Sequence, residues 1–257
     1  IRVIDISADF RLRDVSEYQK WYGITHPALH LLEKAVYGLP ELHRDKIARA
    51  QIIANPGCYP TGAILALAPA VKAGLIKPDI IVDSKSGVSG AGRSLSLTTH
   101  FSEVNEDVSA YSLEGHRHLP EITQELGLLG AKQPAVTFVP HLIPMTRGIL
   151  TTAYAPLVPG KLGEGKSSVE QLKSVYQDFY KDEPFVKVSA SPPHTKHTWG
   201  NNMCLVYPTI DLRTKRLIVI SAIDNLVKGA AGQAIQNMNI ILGLPETTGL
   251  EAPAVYP

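Results

Sequence analysis

Cysteine is nearly missing from this chain: Cys58 and Cys204 are the two in 257 residues. Two thiols without a CxxC spacing exclude a disulfide framework and a cysteine-rich metal knuckle, and they fit a reducing, cytoplasmic compartment. An excess of charge is missing too, since 25 Lys and Arg stand against 24 Asp and Glu, interspersed along the chain. Nucleic-acid-binding domains carry a basic stripe, so no nucleic acid is expected as a partner. No apolar run is long enough to span a bilayer, and no signal peptide precedes the first strand pattern, so no membrane is expected either. An initiator Met is also lacking, and Ile1 to Ile6 already read as a strand, which leads us to expect a start inside a domain, by processing or truncation. What is present is 44% hydrophobic and 19% charged, the composition of a chain that buries a substantial core as one large or two ordinary domains.

The stretch around which the rest is organised is Asn55-Pro56-Gly57-Cys58-Tyr59-Pro60-Thr61-Gly62, followed by the apolar run Ala63 to Ala68. Gln51 to Ala54 before it reads as a buried strand, and the Ala/Leu/Ile composition after it as a helix stopped near Gly74. Cys58 is thus expected in a Pro-Gly turn where a strand ends and a helix begins. Unpaired backbone N–H groups and the positive end of the helix dipole favour a thiolate there, and the thiolate is the nucleophile. The competing reading is a small buried core thiol. Cys204, among Met203, Leu205 and Val206, reads as an inert strand residue.

Other candidates follow in chain order. Arg11 and Arg13 lie in the loop leaving strand Val3 to Ile6, where an open α/β sheet presents ligand contacts; they are candidates for an anionic group, with plain surface arginines as the alternative. Val36 to Pro40 reads as a turn and Asp45 to Ala50 as a short helix. Asp79 to Asp83 reads as a strand leading into a Gly-rich loop, Ser84 to Arg93, which lacks the Lys of a P-loop and the second Gly of a serine elbow. His116 and His118, two apart, share a face if the backbone is extended. Without Cys partners or an H-E-x-x-H pattern they give no expected metal site; a His near a helix start is better read as the proton carrier for a distant Cys. Ala135 to Pro140 reads as a strand, His141 to Met145 as a link, and Arg147 to Leu157, Met203 to Leu212 and Arg216 to Ile223 as long strands. Consecutive long strands predict a mixed or antiparallel sheet. Ala230 to Leu242 reads as a final helix.

Seven runs taken together, VIDISADFRLRD, VYGLPEL, ANPGCYPTGAILALAP, DSKSGVSGAGR, GHRHLPEI, VPHLIPMTRGILTT and DNLVKGAAGQAIQN, resemble the N-acetyl-gamma-glutamyl-phosphate reductase family, over essentially the whole chain. That family shares fold and mechanism with aspartate-semialdehyde dehydrogenase and, more distantly, glyceraldehyde-phosphate dehydrogenase. The resemblance implies an α/β and α+β chain. Residues 1–57 would be the remnant of a Rossmann-type dinucleotide-binding domain, and 58–223 a catalytic, substrate and oligomerisation domain with a large mixed or antiparallel sheet. Residues 224–257 would be a C-terminal helix and tail returning to the first domain. The family's G-x-x-G-x-x-G segment has no counterpart here. The implied reaction is NADPH-dependent reduction of an acyl phosphate, through a Cys58 thioester, in arginine biosynthesis.

The resemblance also distributes roles. His118, with His116 second, would be the acid/base, and Arg11 and Arg13 would hold the leaving phosphate. Tyr111 and Arg147 would hold the rest of the substrate, and Ser86, Gly87 and Asn225 would face NADP. A homodimer or homotetramer is implied. Three alternatives stay open: a reductase for a carrier-bound aminoadipyl phosphate, a Cys–His acyl hydrolase or transferase, and a non-catalytic oligomerisation fragment.

Overall fold

A computed structural model describes residues 1–256. In the first portion, β1 (Val3–Asp5), α1 (Val15–Tyr22), the single turn α2 (Leu29–Leu32), β2 (Ala35–Tyr37), α3 (Pro40–Ile47) and β3 (Ile52–Ala54) follow one another. Strands β1 and β2 flank β3 in a parallel three-stranded sheet, with Ile4 and Val36 opposite Ile53. The long helix α4 (Cys58–Lys72) then leads to β4 (Asp79–Gly87), α5 (Phe101–Val104), β5 (Ser109–Ala110), α6 (Leu119–Leu129), β6 (Ala135–Ile143) and β7 (Ile149–Pro156). After α7 (Lys166–Tyr180) come β8 (Val186–Val188), β9 (Cys204–Asp211), β10 (Arg216–Ile223), a π turn at Val227–Ala231, and α8 (Gly232–Leu242).

The second sheet has seven strands among the described residues, in the order β5-β6-β4-β7-β10-β9-β8. It is mixed: β4–β6 and β8–β9 run parallel, while β4–β7, β7–β10 and β10–β9 run antiparallel. Alternate residues of its central strands are buried and half-exposed, so one face carries the core and the other lies open. Helix α4 is the hub of the covered face. Every residue from Tyr59 to Ala70 is buried, an all-round burial that only a central helix shows. Its small residues let it approach closely, as where the Ser221 hydroxyl of β10 donates to the Gly62 carbonyl at 2.9 Å. Pro60 falls in the first helical turn, where a missing N–H costs nothing. Pro69 deeper in the helix leaves the Leu65 carbonyl without its i+4 donor, and the Tyr180 hydroxyl of α7 supplies one at 2.5 Å.

Several expected boundaries shift. Val36 and Tyr37 are in strand β2, because they add to β3 as a parallel edge; the turn is confined to Gly38 and Leu39. The helix expected at Asp45 to Ala50 begins at Pro40, whose fixed φ suits the first helical position. Ser84 to Gly87 extend β4, and His141 to Ile143 extend β6, because the two strands pair in register from Asp79 opposite Ala135 to Gly87 opposite Ile143. Polar and Gly residues hid a strand that the sheet completes. Helix α8 packs back against α3 and β1 of the first sheet.

Candidate active site around Cys58

Strand β3 ends at Ala54, and Asn55 to Gly57 turn the chain into α4, so Cys58 opens the helix. The turn is anchored on three sides. Asn55 donates its backbone N–H to Asp5 O (2.8 Å) and its side-chain amide to Ala230 O (3.1 Å). Gly57 donates its N–H to Glu121 Oε2 at 3.0 Å. Thr61, one turn on, donates its hydroxyl to the Gly57 carbonyl at 2.9 Å.

Glu121 sits in the first turn of α6, fully buried, and collects charge and polarity beneath this turn. Besides the Gly57 N–H it accepts from the Tyr37 hydroxyl at 2.9 Å and from Arg11 Nη1 at 3.2 Å. Arg11 is itself buried, its other terminal nitrogen donating to Ile6 O at 2.8 Å. Burial opposes its charge, but Glu121 more than offsets that and holds the guanidinium protonated. A β-carbon placed on Gly57 would lie 2.6 Å from His118 Nε2 and 3.0 Å from Arg11 Nη1. The absence of a side chain at Gly57 thus lets an imidazole and a guanidinium converge on the residue preceding the thiol.

The two histidines are not on extended backbone. His118 has helical angles as the residue before α6, and its N–H donates to His116 Nδ1 at 3.0 Å, closing a turn. Their rings still meet, centroids 4.8 Å apart, within a shell of Tyr59, Tyr111 and Phe138. Because His116 Nδ1 accepts a hydrogen bond, a neutral His116 carries its proton on Nε2. Burial pushes His118 down to about 3, with Arg11 adding to the effect, and His116 down to about 4, with His118 adding. Both are neutral imidazoles near pH 7, each with one N–H to donate and one ring nitrogen to accept. The thiol also departs from expectation: burial pushes Cys58 up to about 11. The backbone N–H groups of Tyr59 and Cys58 and the charge of Arg11 do pull it down, as a helix start should, while the Glu121 carboxylate pushes it up. The helix start is present, but desolvation outweighs it, so the resting residue is a thiol, next in the chain to the glycine on which His118 and Arg11 converge.

The remaining candidates spread outward. Tyr111 shares a 2.9 Å hydrogen bond between its hydroxyl and that of Tyr59, on the first turn of α4. Arg13 is drawn aside, 3.9 Å from Glu125, one helical turn from Glu121. Arg147 pairs through Nε with Asp224 at 2.9 Å. Ser86 donates to the Gly87 carbonyl at 3.0 Å, and the space a Gly87 side chain would need is filled by the Thr146–Arg147 backbone, as close as 2.7 Å. Asn225 spends both ends of its amide internally, accepting from Gly148 N at 2.6 Å and donating to the Ser89 hydroxyl at 3.0 Å. These contacts use one of the two acceptor sites and one of the two donor sites of the Asn225 amide and shape the backbone beside the site. Cys204 is buried in β9, and burial pushes its thiol up to about 12, as an inert core thiol requires. Among the described residues no group of His, Cys, Asp and Glu could hold a metal ion.

Sequence reasoning placed Cys58 and the His pair but missed Glu121 as their organiser, along with Tyr37, Asp224 and the close approach at Gly57. The signal for Glu121 was its place three residues after His118 at a helix start, where it reads simply as a favourable dipole partner.

Three comparisons bear on this geometry. Residues 58–225 match the family model described as "Semialdehyde dehydrogenase, dimerisation domain". The whole chain is 61% identical, over 258 aligned positions covering 74% of the relative, to an N-acetyl-gamma-glutamyl-phosphate reductase of Dehalococcoides mccartyi. It is 56% identical, over 73% of the relative, to one of Pelotomaculum thermopropionicum. Aspartate semialdehyde dehydrogenase II of Vibrio cholerae superimposes with a TM-score of 0.62 over 82% of this chain and 69% of its own, at 17% identity, a likeness of fold alone.

Proposed function

The chain belongs to the N-acetyl-gamma-glutamyl-phosphate reductase family of oxidoreductases, and from that premise we propose that it reduces N-acetyl-L-glutamyl 5-phosphate to the 5-semialdehyde, with Cys58 as the nucleophile and a nicotinamide cofactor as the reductant, in cytoplasmic arginine biosynthesis. One observation carries the reading: His118 Nε2 and Arg11 Nη1 converge over Gly57, directly before the half-buried thiol. A neutral His118 takes the thiol proton as sulfur attacks the acyl carbon, so the thiolate exists only in the reacting complex. The C–O bond to phosphate breaks, leaving a thioester and inorganic phosphate. Arg11, already charged and fixed by Glu121, offsets the charge of the departing phosphate, with Arg13 at the rim.

The family implies a nicotinamide dinucleotide, which we take to be NADP; when bound it supplies the hydride for the thioester carbon. The protonated His118 then returns its proton to the resulting oxyanion, and His116 holds the backbone N–H of His118 so that the ring keeps its aim. As the carbon–sulfur bond breaks to release the aldehyde, the same oxygen returns the proton to His118, which passes it to the departing sulfur and so restores the resting thiol. Arg147 and Tyr111 are the candidates for the substrate's carboxylate and acetamido ends. Ser86, Gly87 and Asn225 act on the cofactor side through the backbone they shape. Residues 58–223 would be the catalytic and oligomerisation unit, with 1–57 and 224–257 on the dinucleotide side, in a homodimer or homotetramer.

Phosphate-dependent reduction of NADP by N-acetylglutamate 5-semialdehyde, measured on this protein, tests the reading. Cys58→Ser should abolish it, and His118→Ala should lower turnover by about 10²–10⁴. Normal rates in either variant remove that residue from the mechanism, and acid release without cofactor would assign the thiol to a hydrolase instead.

A further inference from the structure

Against Cys58 lies the π turn Val227–Ala231. Such turns are rare and are often found at functional sites. Gly229 in this turn abuts the nucleophile: a β-carbon on it would stand 2.9 Å from Cys58 Cβ and 3.3 Å from Cys58 Cα. The next residue, Ala230, accepts the Asn55 amide described above, so the π turn and the nucleophile turn are joined twice.

The residue before Gly229 is Lys228, and its ammonium is wholly enclosed. Its Nζ contacts Glu41 Oε1 of α3 at 2.7 Å and donates to Gln236 Oε1 of α8 at 2.7 Å, with the Phe185 ring 5.7 Å away. Lysine and glutamate here are both 0% exposed. The two partners of Lys228 are not fully paired among protein atoms, since Glu41 Oε2 and Gln236 Nε2 are buried without a protein partner. Desolvating two charges can cost more than their attraction returns, and replacing such a pair by apolar residues of similar volume is often neutral or stabilising. What the pair does supply is a fixed point: it ties the π turn to α3 and α8 at one distance and one angle.

We propose that Lys228 is a positioning residue for the reaction, its contacts with Glu41 and Gln236 holding the π turn so that Gly229 backs the Cys58 side chain towards His118. The proposal rests on the reading of Cys58 as the nucleophile, but its test does not require turnover. The direct readout is the rate at which iodoacetamide alkylates Cys58, followed by peptide mass against pH, with Cys204 as the internal unreactive thiol. The double variant Lys228→Met/Glu41→Leu replaces the ion pair by apolar groups of similar volume and is expected to fold. Its Cys58 alkylation should change at least fivefold, with a displaced pH midpoint. Gln236→Met, which leaves the ion pair and removes one acceptor, should shift the rate in the same direction by a smaller factor.

A folded double variant with alkylation within twofold of the parent at every pH would overturn the proposal. Should the double variant fail to fold, Gln236→Met within twofold of the parent would overturn it equally. Failure of the nucleophile reading is seen separately, as full activity in Cys58→Ser.

Discussion

At the residue scale, the site joins groups that burial keeps neutral to one buried ion pair that stays charged. A thiol raised by burial faces an imidazole lowered by burial, and an arginine is neutralised by a glutamate that also grips the backbone at Gly57. No free thiolate waits in the resting protein, which limits oxidation while keeping the proton acceptor close by. The same burial has a consequence for stability. His118 titrates near 3 in the fold and near 6.5 when unfolded, so below about pH 6.5 the unfolded chain binds a proton the folded one refuses. Stability from this group is therefore intact above that pH and lost as pH falls towards 3. In urea titrations the part due to His118 should be a loss of up to about 2 kcal/mol between pH 7 and pH 5, with His116, held near 4, adding a comparable loss. His118→Gln should flatten that dependence; an unchanged slope would mean the ring is not held neutral by burial.

At the element scale, α4 does two jobs that pull in different directions. Its first turn must present a reactive side chain, while the rest is buried all round against β7, β10, α6 and α7. Pro69 would weaken such a helix by orphaning the Leu65 carbonyl, and α7 answers with Tyr180, while Tyr176 adds a second bond to Ala66 O at 2.8 Å. These two hydroxyls make α7 a splint on the nucleophile helix. Tyr180→Phe keeps the ring and leaves the carbonyl unpaired, which should cost about 1–3 kcal/mol in denaturant unfolding with little change in the m-value. Tyr176→Phe should cost less, because the Ala66 carbonyl keeps the backbone donor of Ala70 available to it.

At the scale of the whole molecule, the seven-stranded sheet has helices on one face only. The open face sets Tyr154 opposite Ile81 and Ile218, and Tyr207 opposite Ile220. An apolar sheet face of this kind is the expected seat of a second copy, in line with the dimerisation domain whose family model covers 58–225. Ile220→Lys places a charge at the middle of that face without entering the covered core. Sedimentation should then report a monomer where the parent associates; an unchanged assembly would move the interface elsewhere. No helix of the described residues is long and apolar enough to cross a membrane.

The sequence by itself determined the parts that rest on local chemistry. The Pro-Gly turn before an unbroken Ala/Leu/Ile run located Cys58 at a strand-to-helix junction, and the long apolar alternations located β7, β9 and β10. Only the tertiary structure decided what depends on neighbours distant in sequence. Ser84 to Gly87 become strand because β6 and β7 offer them partners, and Tyr37 becomes strand because β3 does. The charge states were equally out of reach. A helix start argues for a thiolate and a lone His for a midrange proton carrier, yet both ionisations are governed by desolvation, a property of the packed surroundings rather than of the residue. Glu121 shows the same division. Its neighbours in sequence mark a helix start, while its neighbours in space, Arg11, Tyr37 and Gly57, are brought to it from up to 110 positions away.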